Sequence, residues 1–176
     1  MKSSFFKTIA VIMLVGFISL SVYAQKDLRM NFYPANEQYF ASLNVYSTQS
    51  GEFNQYYVKD GAWVKNPNIP QPKINITGGD LRIKYFAPDS INLAGLFVYS
   101  TNTGQFEFFY LKNGVWVLSE YLPGSKISLD SKDIRLDYIP AGDDNGAYIT
   151  GHTVDANEFG IWYLADGIWK RSELYP

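Results

Sequence analysis

Three evenly spaced tyrosines are the side chains of this sequence that are best suited to ligand binding. Tyr57, Tyr110 and Tyr163 follow one another at intervals of 53 residues. A tyrosine ring combines a flat apolar face with a polar hydroxyl, and that combination suits the ring of a pyranose sugar. The spacing therefore predicts repeated aromatic binding sites. The alternative is that the same rings pack inside a core.

A single histidine is the second candidate for ligand binding. The positions 53 and 106 residues before His152 hold tyrosines, Tyr99 and Tyr46. A lone histidine on a strand is more commonly a surface residue than a base or a metal ligand. We nevertheless include it, because a departure of one copy from the other two indicates specialisation.

Acidic residues in the last of three similar segments that repeat at intervals of 53 residues, at residues 133–176, are the candidates for metal binding. The residues concerned are Asp143, Asp144 and Asp155. Carboxylate oxygens are ligands that calcium prefers, but their spacing does not match an EF-hand loop. A turn rich in glycine and aspartate is usually only a turn, so we expect no cofactor and keep calcium as the lesser alternative.

Motifs of known enzyme classes are absent. The sequence contains no glycine-rich phosphate loop, no Gly-x-Ser-x-Gly elbow and no pair of histidines with metal-ligand spacing. It also lacks cysteine, which excludes a thiol nucleophile and disulfides. Its net charge of −2 offers no basic stripe for nucleic acid. We expect a non-catalytic protein. A glycan hydrolase is a less favoured alternative than either a glycan-binding or a protein-binding function.

Residues 1–24 have the pattern of a secretory signal peptide. Lys2 and Lys7 precede an almost wholly apolar stretch at residues 9–22, and Ala24 provides a small residue at the cleavage site. A retained anchor helix is the alternative, but the stretch is shorter than the roughly 20 residues that a membrane span needs. We predict one domain over residues 25–176, without a membrane span, in a secreted, periplasmic or cell-surface location.

That domain is built from three copies of one unit. The copies occupy residues 27–79, 80–132 and 133–176, and they align without insertion or deletion. Identical types recur at Phe53, Phe106 and Phe159, at Gly61, Gly114 and Gly167, and at Trp63, Trp116 and Trp169. Such self-similarity indicates a copied supersecondary unit whose neighbours complete its core.

Each unit has the pattern of an antiparallel meander of four strands. Residues 80–86 alternate between apolar and charged side chains, as a half-buried strand does. Asp60-Gly61, Asn113-Gly114 and Asp166-Gly167 each separate two apolar runs, which predicts a tight hairpin with positive φ at both turn residues. The alternating segments 73–77 and 126–130 are candidates for fifth strands.

The hairpin register places each tryptophan opposite an aliphatic residue. With two-residue turns, Val58 pairs with Trp63, Leu111 with Trp116, and Leu164 with Trp169. We interpret the three tryptophans as core residues, because each copy repeats the same packing problem.

The sequence therefore predicts an all-β fold of three equivalent meanders. Closure around a threefold axis, as in a β-trefoil or β-prism, would remove exposed sheet edges. The alternatives are tandem small β-modules or one long meander. We predict an exported binding protein that recognises a glycan or surface polymer. The alternative partner is an envelope protein, for which the chain would be an accessory subunit.

Overall fold

The described residues form an all-β structure with three antiparallel sheets. The computed structural model describes residues 28–35, 40–88, 92–141 and 146–174. The first sheet contains β1 (Leu28–Tyr33), β2 (Ser42–Ser47), β3 (Phe53–Lys59) and β4 (Ala62–Lys65). The second contains β5 (Leu81–Phe86), β6 (Gly95–Ser100), β7 (Gln105–Lys112), β8 (Val115–Leu118) and β9 (Ser125–Lys126). The third contains β10 (Ile134–Ile139), β11 (Tyr148–Thr153), β12 (Phe159–Ala165) and β13 (Ile168–Arg171).

Neighbouring strands in each sheet follow chain order, with β9 added beside β7 in the second sheet. No sheet closes on itself among the described strands. The closure around a threefold axis that the sequence predicts is therefore not confirmed. Residues 1–24, which carry the predicted signal peptide, lie outside the described part of the chain.

The tight hairpins are confirmed in all three sheets. Both turn residues have positive φ, from 51° at Asp60 and Asn113 to 78° at Gly61, as two-residue turns of this type require. The register is the predicted one, with Val58 opposite Trp63, Leu111 opposite Trp116 and Leu164 opposite Trp169. Local turn chemistry therefore sets which side chains meet across these strands.

The predicted fifth strands are mostly wrong. Only the two-residue β9 pairs with β7, and the rest of segments 73–77 and 126–130 is irregular. In the first sheet Pro72 occupies the position matching Ser125, and proline has no N–H to donate to a ladder. The side-chain amide of Gln71 substitutes for the backbone there. It accepts a hydrogen bond from the Phe53 N–H at 2.8 Å and donates one to the Phe53 carbonyl.

The three sheets stack through opposite faces. We call the front face of each sheet the one that carries the apolar residues of its first strand: Leu28, Met30 and Phe32, then Leu81, Ile83 and Tyr85, then Ile134, Leu136 and Tyr138. The back face is the other one. It carries Tyr46 and Phe53 in the first sheet, Tyr99 and Phe106 in the second, and His152 and Phe159 in the third.

Two apolar cores lie between the sheets. In the first core, Tyr46 and Phe53 from one back face pack with Leu81 and Ile83 from the next front face. In the second core, Phe97, Tyr99, Phe106 and Phe108 pack with Ile134, Leu136, Tyr138 and Ile149. Backbone hydrogen bonds at matched positions join the sheets, from Leu81 N–H to Thr48 at 2.7 Å and from Ile134 N–H to Thr101 at 2.9 Å.

Each core also receives side chains from the segment that precedes the covered sheet. We call residues 66–80 the first linker and residues 119–133 the second linker. Ile69, Ile74 and Ile76 of the first linker join the first core. Leu122, Ile127 and Leu129 of the second linker join the second core. The alternating pattern of these segments thus reflects insertion of side chains into a core rather than strand pairing.

The three tryptophans differ in burial although their sequence positions match. Trp116 is 7% exposed and donates its Nε1–H to the Pro70 carbonyl at 2.8 Å. Trp169 is half-buried and donates to the Pro123 carbonyl at 2.9 Å. Trp63 is 46% exposed, so the interpretation of all three as core residues is wrong for Trp63. Trp116 and Trp169 are each covered by the linker that precedes their sheet.

The Asp-x-Arg sequence at the start of the second and third sheets forms a local ion pair. Arg82 lies 2.5 Å from Asp80, and Arg135 lies 2.7 Å from Asp133. The Thr101 hydroxyl also donates to Asp80 at 2.7 Å. Burial by itself would raise the pKa of the Asp80 carboxyl, but these hydrogen bonds and the Arg82 charge outweigh it and hold that pKa below its usual 3.8.

Candidate functional site

The three predicted tyrosines occupy the same place in three different sheets. Tyr57 lies on β3, Tyr110 on β7 and Tyr163 on β12, each on the back face of its sheet. Tyr57 and Tyr110 are half-buried, whereas Tyr163 is 44% exposed. The fold therefore places one tyrosine in each sheet, and their surroundings differ.

Tyr57 lines a cavity at the junction of the first and second sheets. The cavity has a volume of about 420 Å³. Its lining includes the aromatic rings of Tyr57, Phe40 and Tyr85 and the side-chain amides of Gln55, Asn66 and Asn68. Phe40 is 79% exposed, so one aromatic ring stands at the solvent side of the cavity. Of the predicted site residues, Tyr57 is the one that lines it.

Substitutions between the first two copies explain why there is space here. Phe97 and Phe108 on the second back face stack at 4.8 Å, and Phe108 also packs edge-on against Tyr138 at 4.6 Å. The matching positions of the first sheet hold Asn44 and Gln55, which pair across β2 and β3. Because two amide side chains fill less volume than two phenyl rings, the first junction keeps an opening.

Hydrogen bonds hold the amides of the cavity wall. Asn66 Nδ2 donates to Gln55 Oε1 at 2.8 Å, and the Asn66 N–H donates to the Gln55 carbonyl at 2.7 Å. The Asn68 N–H in turn donates to Asn66 Oδ1 at 3.0 Å. These contacts tie the start of the first linker to β3. The amide wall is therefore held in place by the protein's own hydrogen bonds.

A buried amide lies directly behind this wall. Asn44 is 1% exposed, and its side chain interacts with the Tyr33 hydroxyl, which donates to the Tyr85 carbonyl at 3.3 Å. Burial raises the pKa of Tyr33, and these hydrogen bonds oppose the rise. Asn44 is not among the residues that line the cavity, so it belongs to the packed interior behind Gln55.

The described lining of the cavity is uncharged and mostly apolar, with a few amide and hydroxyl groups among aromatic and aliphatic side chains. Among the described residues that line it, none carries a charge. Amide groups can donate and accept hydrogen bonds at once, and aromatic faces pack on apolar ring surfaces. The arrangement can thus hold a neutral ligand that has an apolar face and a few hydrogen-bonding groups.

Sequence reasoning missed Gln55 and Phe40. The available signal was the difference between the first and second copies, where Asn44 and Gln55 replace Phe97 and Phe108. The sequence interpretation instead concentrated on the third copy, whose departures are more numerous. The consequence of these replacements depends on which face of β3 meets the second sheet.

The structure explains why a histidine is tolerated at position 152, where the other two sheets have a tyrosine. It lies on the back face of β11, opposite Arg135 and Phe159, and it is exposed. The matched Tyr46 and Tyr99 are 4% and 8% exposed, because the next sheet covers them. His152 thus occupies the outer face of the last sheet, and it is not among the residues that line the cavity.

Of the three metal candidates, only Asp155 lies in the described part of the chain; Asp143 and Asp144 lie outside it. The Asp155 carboxylate accepts a hydrogen bond from the Ser131 hydroxyl of the second linker. Its neighbour Glu158 accepts one from the Asp130 N–H at 2.9 Å. Within residues 28–35, 40–88, 92–141 and 146–174, no group of three or more His, Asp or Glu side chains could hold a metal ion.

Glu107 is a buried acid on the front face of the second sheet. It is 9% exposed, and Oε2 accepts a hydrogen bond from the Asn75 N–H of the first linker at 3.3 Å. Burial raises the pKa of Glu107 above its usual 4.5, and the Asn75 hydrogen bond opposes that rise. Its contacts give Glu107 a role in holding the linker.

The described residues include no helix that is long and apolar enough to cross a membrane. Comparison of the chain with protein-family models, with curated proteins and with solved structures found no match in any of the three.

Proposed function

We propose that the protein is an exported, non-catalytic binding protein that recognises a neutral glycan at the cavity between its first two sheets. The observation that carries the proposal is the lining of that cavity, where Tyr57, Phe40 and Tyr85 combine with the amides of Gln55 and Asn66. Export rests on the signal-peptide pattern of residues 1–24. We place the protein in the periplasm, at the cell surface or outside the cell.

The proposal narrows the repeated aromatic sites to one. The rings of Tyr57 and Phe40 would pack on the apolar face of a sugar ring, and the Gln55 and Asn66 amides would meet its hydroxyls. The uncharged lining disfavours phosphorylated and strongly acidic ligands, because no described cation is available there to pair with them. Tyr110 and Tyr163 are then equivalent in sequence but not in function.

A polysaccharide-binding assay tests this proposal. The protein would be screened against neutral and acidic glycans, and Tyr57→Ala and Gln55→Ala would each weaken binding about tenfold, the equivalent of 1.4 kcal/mol. Tyr163→Ala is the matched control, because it removes the corresponding ring from the third sheet. Loss of binding in Tyr163→Ala, with Tyr57→Ala unchanged, would refute the assignment to this cavity.

We further propose that the three sheets are copies of one unit stacked in tandem, which is one of the arrangements that the sequence allows. Matched contacts support this. The Trp116–Pro70 and Trp169–Pro123 hydrogen bonds recur at an interval of 53 residues, as do the backbone bonds of Leu81 and Ile134. In such an array each unit relies on its neighbours for burial.

A protein-interaction module is the second candidate function. The observation that favours it is the exposed apolar front face of the first sheet, which the cavity proposal leaves unexplained. A partner on this face would make the chain an accessory subunit of an envelope complex. The two functions are compatible, because the cavity lies on the back side of the same sheet.

A further inference from the structure

The front face of the first sheet exposes an apolar patch. Met30 is 68% exposed, Phe32 60%, Trp63 46% and Leu28 45%. Phe32 and Trp63 contact each other edge-on, with ring centroids 6.3 Å apart, so the patch is continuous from β1 to β4. Contiguous apolar surface of this kind marks an interaction site in soluble proteins.

The same face is buried in the other two sheets. Ile83 and Leu136, which match Met30, are 2% and 6% exposed. Tyr85 and Tyr138, which match Phe32, are 9% and 8% exposed. The difference therefore lies in what covers each face, since the side chains themselves are similar in type and size.

Two elements cover a front face, namely the back face of the preceding sheet and the linker between the two sheets. The linkers show which chemistry a single segment brings to that cover. Each linker places an aliphatic residue before a proline, Ile69-Pro70 or Leu122-Pro123, and the proline carbonyl accepts the tryptophan indole N–H. Four residues after that proline, the linker begins an aliphatic-x-aliphatic pattern. The side chains concerned are Ile74 and Ile76 in the first linker and Ile127 and Leu129 in the second. The first linker is irregular, and the second is irregular apart from the two-residue strand β9.

We propose that the front face of the first sheet binds an extended segment of a partner polypeptide with this linker chemistry: an aliphatic-Pro pair followed by alternating aliphatic residues. Its proline carbonyl accepts a hydrogen bond from Trp63 Nε1, and its aliphatic side chains cover Met30 and Leu28. This proposal deepens the second candidate function and rests on it. The glycan cavity is independent of it.

Two other occupants fit less well. With the proposed cleavage after Ala24, residues 25–27 precede β1, which is far shorter than the linkers of residues 66–80 and 119–133. A second copy would have to present the back face of its third sheet. That face carries His152 and Thr150 where the second sheet has Tyr99 and Phe97, so it lacks the aromatic pair that fills the second core, although Phe159, Tyr163 and Ile168 are exposed there.

Peptides copied from the linkers provide the probe. Residues 66–79 and 119–132 would be synthesised and added separately to the exported protein labelled with ¹⁵N. The sequence contains four tryptophans, so the Trp63 indole N–H signal can be resolved and assigned with Trp63→Phe. We expect that signal to move saturably towards the positions of Trp116 and Trp169. Peptide 66–79 with Ile74→Asp would bind at least about tenfold more weakly.

Matched variants distinguish loss of peptide binding at this face from a general effect of a new aspartate on the protein. Met30→Asp would abolish peptide binding, whereas Ile168→Asp on the third sheet, at a residue that is 61% exposed, would leave it unchanged. Glycan binding would be the same in both variants, so failure here is distinguishable from failure of the cavity proposal.

Three results would overturn the inference. The first is a Trp63 signal that does not move with either peptide at millimolar concentration. The second is a concentration-dependent dimer that Met30→Asp abolishes, which would assign the face to a second copy. The third is a Trp63 indole N–H signal that, in the uncleaved chain without peptide, already lies near the signals of the hydrogen-bonded Trp116 and Trp169. That result would assign the face to residues 1–24.

Discussion

Replacing the matched tryptophans by alanine tests the stacking of the sheets most directly. Trp116→Ala removes a ring that is 7% exposed and that bonds the first linker through Pro70. Trp63→Ala removes the matched ring of the first sheet, which is 46% exposed. The two variants change the same residue at the same place in a hairpin. They differ in what covers the ring, because Trp116 lies in the first core under the first linker, whereas no described linker covers Trp63.

The expected losses in free energy of unfolding differ several-fold. Truncating a buried tryptophan costs about 3–5 kcal/mol, because the ring leaves a cavity. For Trp63, the aromatic contact with Phe32 is the main loss, worth about 1 kcal/mol. Domains of this size are stable by roughly 5–15 kcal/mol. Trp116→Ala therefore removes a large share of the total, whereas Trp63→Ala does not.

Urea denaturation followed by far-UV circular dichroism is the assay. With an m-value of about 2 kcal/mol/M, the midpoint falls by about 2 M in Trp116→Ala and by about 0.5 M in Trp63→Ala. Trp116→Phe keeps an aromatic ring but loses the hydrogen bond to Pro70, so it costs about 1 kcal/mol. Equal midpoint losses in the two alanine variants would show that the linker does not stabilise the tryptophan it covers.

Three further predictions concern the linkers. Gly104→Ala should cost at least about 3 kcal/mol, because a Cβ would lie 2.0 Å from a carbonyl oxygen of the second linker; Gly114→Ala, also at positive φ but with open space around it, should cost only about 1 kcal/mol in thermal unfolding. Glu107→Gln should stabilise the protein at pH 7. The raised pKa of Glu107 makes wild-type stability fall as pH rises from 4.5 through the folded-state pKa; a larger advantage of the variant at pH 4 than at pH 7 would contradict this. Gln71→Ala should cost about 1 kcal/mol in urea denaturation through loss of its two hydrogen bonds to the Phe53 backbone, and an unchanged midpoint would show that these bonds do not stabilise the fold.

The residue at the turn before β3, β7 and β12 also reflects whether a linker covers the sheet. This residue is glycine in the first two sheets and asparagine in the third. Gly51 and Gly104 are close to a linker, where a Cβ would meet Ile74 or Ile127. Asn157 takes the matched position in the third copy, with φ of 52°, as expected for a residue that tolerates the left-handed region. Asn157 is exposed, so a side chain fits where no described linker passes over it.

The all-β class, the hairpins and the register across β3–β4, β7–β8 and β12–β13 were predictable from sequence. Each depends on residues close together in the chain: Asn113-Gly114 selects a turn, and alternation then assigns every neighbour to a face. The predicted fifth strands were less reliable, since the alternation of Ile74 and Ile76 is the same whether the backbone pairs in a sheet or only inserts side chains into a core.

The cavity could not be predicted from one copy of the unit. It lies where Gln55 faces the second sheet, at the position where Phe108 of the second sheet faces the third. Which faces meet is decided by long-range stacking of the sheets. Tyr57 was identified because its ring chemistry is visible in the sequence, whereas the amides that give its site polarity are informative only once their neighbours are known.

The sequence by itself determined the four main strands of each sheet, the tight turns and the matched positions of Trp63, Trp116 and Trp169. Tertiary structure alone decided their different environments. Periodicity reports which side of a strand a residue takes, and that is a local property. Burial depends on what lies above that side, and here it is supplied by a segment from the preceding unit, which covers Trp116 and Trp169 and leaves Trp63 exposed.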